Sequence, residues 1–412
     1  MSTLAPIPIY SQQETFYVPR VEVYARGQKL QSNVVDDILQ VTYKDSINDI
    51  DSFNIQINNW DAGKRTFKFA PAMKEYAGIF DPGASIEVWM GYQNNMRRMM
   101  RGTVTSLEPT YSESAAPTLA VGGLNELHQF RTEQHTKSWL DGTQTDTDIA
   151  KELCGLPIKQ GQAGLGIAIE TNPAPTETPE AFVYMSSQYD IVFLLERARR
   201  HGYEVYLKEK NGKPTLYFGL SENNGNAPLY RLEWGRSLVN FKPRLSTAKQ
   251  ISTVVVRGWD RKSNSVIEEK FTLQDLWKEQ KKSKAEIARL TQIAKAYGDR
   301  TDVVTDRPVH TKKEAKQLAR SILDDRSKKL IEASGATVGL PDLRSGVALE
   351  IVGFGAQTGR DGQIIGAGSD FDGEYYVTET THTIGSGGYR TEFSARREGP
   401  LPPSTQQSGS GG

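Results

Sequence analysis

One pattern narrows the fold more than any other, and it occurs twice. Near the start, Pro82–Tyr92 (PGASIEVWMGY) is followed by a polar loop and then by Arg101-Gly102-Thr103-Val104-Thr105. Near the end, Ser345–Phe354 (SGVALEIVGF) is followed by a Gly-rich loop and then by Asp372-Gly373-Glu374-Tyr375-Tyr376-Val377-Thr378. Both read as a glycine, an alternating strand, Gly-aromatic, a loop, and a glycine opening a second strand. Their registers differ by one residue, which a β-bulge absorbs. Two copies of one barrel topology explain the pattern. The competing explanation is that short strands ending in glycine all look alike.

The rest of the first region supports antiparallel sheet. From about Pro19 to Leu124, Phe53, Ile55 and Ile57 alternate with polar residues, as do Ile86, Val88 and Met90. That is the period of a half-buried strand. Arg26-Gly27, Pro82-Gly83 and Asn94-Asn95 are expected turns. Short strands at this spacing predict a sheet curling into a small barrel. From Asn125 to Lys242 the pattern turns mixed α/β. Ser187 and Asp190 resemble a capping box, Ile191, Leu194, Leu195 and Ala198 follow at helical spacing, and Gly202 stops the helix. Tyr203–Leu207 and Thr215–Phe218 flank Asn211-Gly212 as a hairpin, and Gly161–Pro179 reads as a loop. Ile251–Trp259 reads as strand. A helical insert over Leu273–Ile331 is expected in two pieces, the second capped by Thr311 and Glu314.

The resulting expectation is an α+β, β-rich chain with two related antiparallel β-barrel, tube-like domains, an intervening α/β domain and a helical insert. The boundaries are 1–124 for the first barrel, 125–245 for the α/β domain, 246–272 with 332–397 for the second barrel, and 273–331 for the insert. Residues 398–412, rich in Pro, Ser, Gly and Gln, are expected to form a disordered tail. A length of 412 residues suits two or three domains.

Composition excludes some functions and leaves others. Lys+Arg and Asp+Glu both total 50, so no global charge draws the chain to nucleic acid or an anionic membrane. No apolar run approaches the roughly 20 residues of a membrane span, and the N-terminus lacks a secretory signal pattern. Cytoplasmic synthesis is the expectation. With Cys154 alone, an intramolecular disulfide and a cysteine zinc site are both ruled out. Cys154 is expected to be a buried small apolar side chain.

A search for catalytic chemistry finds none. The histidines (His128, His135, His201, His310, His382) are scattered, without a metal-ligand spacing. There is no nucleophile elbow and no phosphate-binding loop of the Walker kind. Asp141, Asp146 and Asp148 lack the glycine and terminal Glu of a calcium loop. The expectation is no catalytic residue, no cofactor and no metal. One stretch invites a binding role. Met96, Arg97, Arg98, Met99, Met100 and Arg101 set three arginines among three methionines in the expected loop of a hairpin. They are either a solvated hairpin with Met packed on its own sheet or a subunit or tube contact, since Met and Arg are enriched at interfaces.

Five segments in order carry a family resemblance: Gln188–Val205 (QYDIVFLLERARRHGYEV), Val254–Asp260 (VVVRGWD), the helix from Glu314 to Leu323 with Gly339–Gly346 (GLPDLRSG), Phe371–Ile384, and Gly388–Arg397. Together the sequence resembles the baseplate hub family of contractile injection machines, late control protein D of phages and the hub part of VgrG, from about Pro19 to Arg397. The resemblance implies a homotrimer whose two barrels per subunit give a pseudo-sixfold ring. That ring would join a hexameric inner tube protein to a separate trimeric spike protein, in the baseplate of a tail or injection particle and beside other baseplate proteins. The alternatives are a tail-associated host-surface binding module and a peptidoglycan hydrolase.

Overall fold

The structure, a computed structural model, describes residues 18–401 apart from 48, 70–77, 94, 132, 141, 175–176, 181, 211–212, 222–227, 261–262, 356, 359–363, 366–370 and 400. Alternating residues build six strands in the first part: β1 (Pro19–Ala25), β2 (Ile38–Ser46), β3 (Ser52–Asn58), β4 (Ser85–Tyr92), β5 (Asn95–Thr110) and β6 (Thr118–Asn125). An α/β part follows, with β7 (Gln134–Trp139), α1 (Asp146–Gly155), β8 (Ala168–Asn172), β9 (Val183–Tyr189), α2 (Asp190–His201), β10 (Glu204–Lys210) and β11 (Lys213–Gly219). Next come β12 (Tyr230–Glu233), β13 (Leu238–Leu245), β14 (Thr253–Asp260), β15 (Ser265–Thr272), α3 (Leu273–Glu279), α4 (Lys284–Ala294), β16 (Thr301–Val304) and α5 (Lys312–Lys328). The chain ends with β17 (Ile331–Val338), β18 (Ala348–Val352), β19 (Gly373–Gly385) and β20 (Gly388–Arg397). Shorter elements carry no number.

The expected α+β, β-rich class is what the chain adopts. One large sheet contains two six-stranded units. The first runs β2-β3-β6-β5-β4-β1 and the second β13-β17-β20-β19-β18-β12. These are the same positions filled in the same chain order. Two of the irregularities match as well. A bulge between Val104 and Ser106 recurs between Val377 and Glu379, and one between Ile38 and Gln40 recurs between Leu238 and Asn240. Gly83 and Gly346 open β4 and β18 at φ of +87° and +86°. Each donates its N–H to a valine carbonyl on the long strand, Val104 or Val377, at 2.8 and 2.9 Å. Chance similarity of short strands does not reproduce bulges and turn bonds. Two differences stand: β1 is antiparallel to β4, whereas β12 is parallel to β18, and the pairing of β4 with β5 has a bulge between Val88 and Trp89 that the pairing of β18 with β19 lacks.

Each unit wraps its own core. Val23, Val41, Ile55, Ile86, Val88 and Val121 fill the first, and Leu232, Leu349, Ile351, Tyr375, Val377 and Phe393 the second. The two units are joined by β19, which pairs β18 through Gly373–Tyr376 and then β2 through Glu379–Gly385.

The structure corrects several expectations. Met96–Arg101 do not form a loop. They lie in β5, paired to β4, because the turn is held to two residues between Tyr92 and Asn95; of those two, Asn94 lies outside the described residues. The boundary at 245 also moves. β12 and β13, expected in the α/β domain, pair with second-unit strands. β14 and β15, expected in the second barrel, instead form a separate sheet with β16. That sheet covers α5, and Val254, Val256, Ile267 and Phe271 share a core with Leu276, Leu318 and Leu323. The insert has three helices rather than two pieces, and strand β16. Helix α2 starts without a side-chain cap; Ser187 lies in β9 at φ of +46°. Glu314 donates its backbone N–H to Thr311, but its carboxylate accepts from His310 N–H instead of closing the box. The loop expected over Gly161–Pro179 contains β8. In the expected tail, Leu401 is buried and Glu398 bonds Arg396 at 2.7 Å; residues 402–412 lie outside the described residues, as does the Asn211-Gly212 turn.

The paired glycines give a comparison. An added Cβ at Gly83 meets nothing within 4 Å, whereas at Gly346 it falls 2.5 Å from the Tyr206 hydroxyl. Gly83→Ala is expected to cost about 1–2 kcal/mol from the left-handed backbone alone. Gly346→Ala should cost clearly more in urea unfolding, since Tyr206 is itself buried and must shift.

Candidate interface site

The six residues singled out in the sequence sit where the first unit meets the second. Met99 and Met100 are buried in the first unit's core, Met96 is half-buried, and Arg97 and Arg101 are exposed. The arginines are held by carboxylates of the same chain. Arg97 pairs with Asp342 at 2.7 Å, Arg98 with Glu87 at 3.8 Å, and Arg101 with Glu126 at 3.4 Å. Arg98 also lies over the Trp89 ring at 5.9 Å, a cation–π arrangement.

The segment facing them is Gly339–Gly346, which leads into β18. Tyr92 donates to the Gly339 carbonyl at 2.9 Å. Arg344 reaches the other way, donating to the Met99 carbonyl and, at 3.2 Å, to its sulfur. Its guanidinium also stacks on the Tyr43 ring at 4.5 Å. Beneath it Asp45, 4% exposed, accepts from Ser345 N–H at 3.0 Å, from the Thr380 hydroxyl, and faces Arg344 Nε at 3.5 Å. The Tyr43 hydroxyl donates to Asp51 at 3.3 Å.

This seam holds two buried carboxylates against one guanidinium. Burial pushes the Asp51 carboxyl up to about 7, and the neighbouring Asp45 charge adds to that push while Arg344 opposes it. Burial likewise raises Asp45. His382, fully buried, is driven down to about 3 by burial and then by Arg344. It is therefore neutral. Its Nε2 faces the Leu343 carbonyl at 2.9 Å, and a carbonyl only accepts, so Nε2 carries the proton. Nδ1 then accepts from Tyr389 or Thr391, at 2.9 and 3.1 Å. The arrangement locks two sheets together. Its carboxylates lie under Tyr43 and Arg344, and each polar group is used in the joint.

A second buried network ties α1 to α2. Arg197 Nε bonds Asp146 at 2.5 Å while its terminal nitrogen reaches Glu180 at 2.6 Å. His201 Nε2 meets the other Asp146 oxygen at 2.5 Å, and its Nδ1 meets Gln317 on α5. Asp146, Glu180 and His201 offer ligand atoms within 4.8 Å of one another, but the Arg197 guanidinium already supplies the cation they surround. Neither network was visible as a site in the sequence. Arg344 falls within GLPDLRSG, and Asp146 within the acidic stretch that failed as a calcium loop; their partners lie far along the chain.

Comparison with known proteins adds the following. A family model described as the Alg8 N-terminal domain matches residues 16–386. The chain belongs to that family. No curated protein matches the sequence. Among solved structures, the family member is similar to the 43 kDa tail protein of prophage MuSo2 from Shewanella oneidensis, with 14% identity, a TM-score of 0.62, and coverage of 92% of this chain and 98% of the other. It is similar to a tail protein from Neisseria meningitidis MC58, with 14% identity, a TM-score of 0.61, and coverage of 93% and 98%. It is also similar to prophage tail protein gp18 from Listeria monocytogenes EGD-e, with 8% identity, a TM-score of 0.53, and coverage of 92% and 94%. The fold is that of phage tail proteins along nearly the whole chain. Among the described residues no helix is long and apolar enough to cross a membrane.

Two measurements check the networks. A carboxyl raised on folding stabilises the fold in acid, and the contribution is lost as pH climbs from the usual carboxylate range through about 7. Asp51→Asn should therefore gain on the wild type in urea midpoint from pH 4.5 to 7, by up to about 1.4 kcal/mol per pH unit, and level off above. An unchanging difference across that range contradicts the assignment. Arg197→Ala leaves Asp146 and Glu180 without their cation and is expected to cost about 3–5 kcal/mol in the same assay.

Proposed function

We propose that this chain is a structural part of a contractile tail or a tail-derived injection machine. Within it, the chain acts as the baseplate hub: a homotrimer that joins a hexameric inner tube to a trimeric spike. The observation that carries this reading is the repeat of one six-stranded unit, with the same strand order and two shared bulges, inside a single chain. A threefold assembly of such chains offers six near-equivalent units, which is what contact with a sixfold ring on one side and a threefold object on the other requires. The shared fold with three tail proteins supports the setting. The buried networks support a non-enzymatic part, since their carboxylates are tied to Arg344 and Arg197 beneath other side chains.

Two further parts of the reading follow. In an assembled particle the protein resides in the baseplate, among tube, spike and other baseplate proteins. Met96 and the outer sides of Arg97 and Arg101 are what the Met96–Arg101 stretch leaves for contact with another subunit or the tube; the remainder is used inside the chain.

Native mass spectrometry of the full chain at micromolar concentration is expected to return three times the single-chain mass. Electron microscopy of the same sample is expected to give a ring with six similar lobes. A monomer at all concentrations counts against the hub. A glycan-dependent binder, or wall hydrolysis abolished by one carboxylate substitution, would point to the competing functions.

A further inference from the structure

The in-chain joint uses only half of the edges that the two units possess. In the second unit, β19 pairs β18 with its first residues and then β2 of the first unit with Glu379–Gly385. The equivalent strand of the first unit, β5, pairs β4 through Thr103 and β6 through Thr110. On its β4 side, no described strand pairs the stretch from Ser106 to Thr110. The counterpart of β2 is β13, and it pairs only β17; from Asn240 to Leu245 its other edge likewise has no described strand beside it. One chain thus carries both halves of a second joint: the far part of β5 and the open edge of β13.

We infer that β5 of one copy pairs with β13 of the next, in the register of the in-chain joint, and that this ladder is the subunit boundary. The inference rests on the trimer reading above and specifies its contact. Because Val104 corresponds to Val377 and Leu238 to Ile38, the in-chain rungs translate directly. Thr380 opposite Asp45 becomes Leu107 opposite Leu245. His382 opposite Tyr43 becomes Pro109 opposite Pro243, and Ile384 opposite Val41 becomes Tyr111, the residue just past the end of β5 whose ring packs edge-on against Phe67 at 5.3 Å, opposite Phe241. On the other face, Thr381 opposite Lys44 becomes Glu108 opposite Arg244, and Thr383 opposite Thr42 becomes Thr110 opposite Lys242.

The translated rungs are chemically matched. One face aligns apolar with apolar at all three positions, and it is the face that is buried in the in-chain joint, where Val41, Tyr43 and Ile384 lie. The other aligns a glutamate with an arginine, an opposite-charge cross-strand pair. A slip of one residue would set Leu107 and Tyr111 against charged or polar partners. Exposure fits a covered edge: Leu107 is 37% exposed and Tyr111 65%. Ile47 N–H bonds the Thr378 carbonyl at 3.1 Å, so by alternation the rung of His382 and Tyr43 is a hydrogen-bonded one. Its translated version has proline on both sides, so that rung makes no backbone hydrogen bond and the neighbouring rungs have to carry the ladder. Proline at each edge also keeps the separate chain from templating unrelated strands. The contact is head-to-tail, so it closes a ring at three chains if each unit turns about the axis by one sixth.

The test uses the full chain with Thr110→Cys and Lys242→Cys together. That rung is of the closer, non-hydrogen-bonded type, with Cα atoms about 4.5 Å apart, inside disulfide range. Burial pushes the native Cys154 thiol up to about 12, so it stays out of the reaction. Mild oxidation is expected to give bands at two and three chain masses on a denaturing gel, which the offset pair Thr110→Cys with Arg244→Cys should not. Glu108→Arg is expected to weaken the trimer about tenfold or more, and Glu108→Arg with Arg244→Glu to restore it. A native trimer in which the Thr110→Cys, Lys242→Cys variant fails to crosslink overturns this boundary and leaves the hub reading standing. A chain that stays monomeric overturns both.

Discussion

The ladder between β19 and β2 is the constraint on which the rest of the molecule depends. A single thirteen-residue strand belongs to the second unit at one end and completes the first unit's sheet at the other. Because a ladder fixes register residue by residue, the two units are held at one spacing and one twist. A flexible linker would leave them free to turn. The α/β part and the helical insert hang on this frame: Tyr206 and Tyr217 pack with Ile47 and Tyr376 where the parts converge.

Buried charge marks each place where one part of the chain meets another. Between the units it is Asp45 and Asp51 with Arg344. Between the α/β part and the second unit it is Glu204, which accepts from Tyr376 and pairs with Arg396 at 2.6 Å. Between the α/β part and the insert, His201 links Asp146 to Gln317. Such groups are weak stabilisers, since desolvation offsets most of their attraction. Their effect is directional: a displaced joint leaves a buried charge without its partner, so wrong dockings are penalised more than the right one is rewarded.

How much of this was legible from sequence follows from the range of the interactions. The strands of the first unit were, because Phe53, Ile55, Ile57 and Ile86, Val88, Met90 report burial by alternation alone. The repeated unit was visible through its two glycine-opened strands, and Gly202 stopped α2 as expected, at φ of +69°. The assignment of β12 and β13 was not legible. A strand's partner depends on residues far along the chain, and periodicity says only that it is a strand. The Met and Arg pattern was noticed but misplaced, because nothing local distinguishes a polar strand edge from a loop. The seam escaped for the same reason: Asp45, Arg344 and Thr380 are ordinary residues until the fold brings them together.

The order of synthesis adds a consequence. Asp45 and Thr380 are bonded across 335 residues of chain. At about 5–20 residues per second, the outer edge of β2 emerges roughly 20–70 s before the strand that covers it exists. During that interval the N-terminal half is a nascent sheet with an open side, on a ribosome surrounded by others making the same chain. The strand that shields the edge of β2 is therefore among the last parts of the described chain to be synthesised.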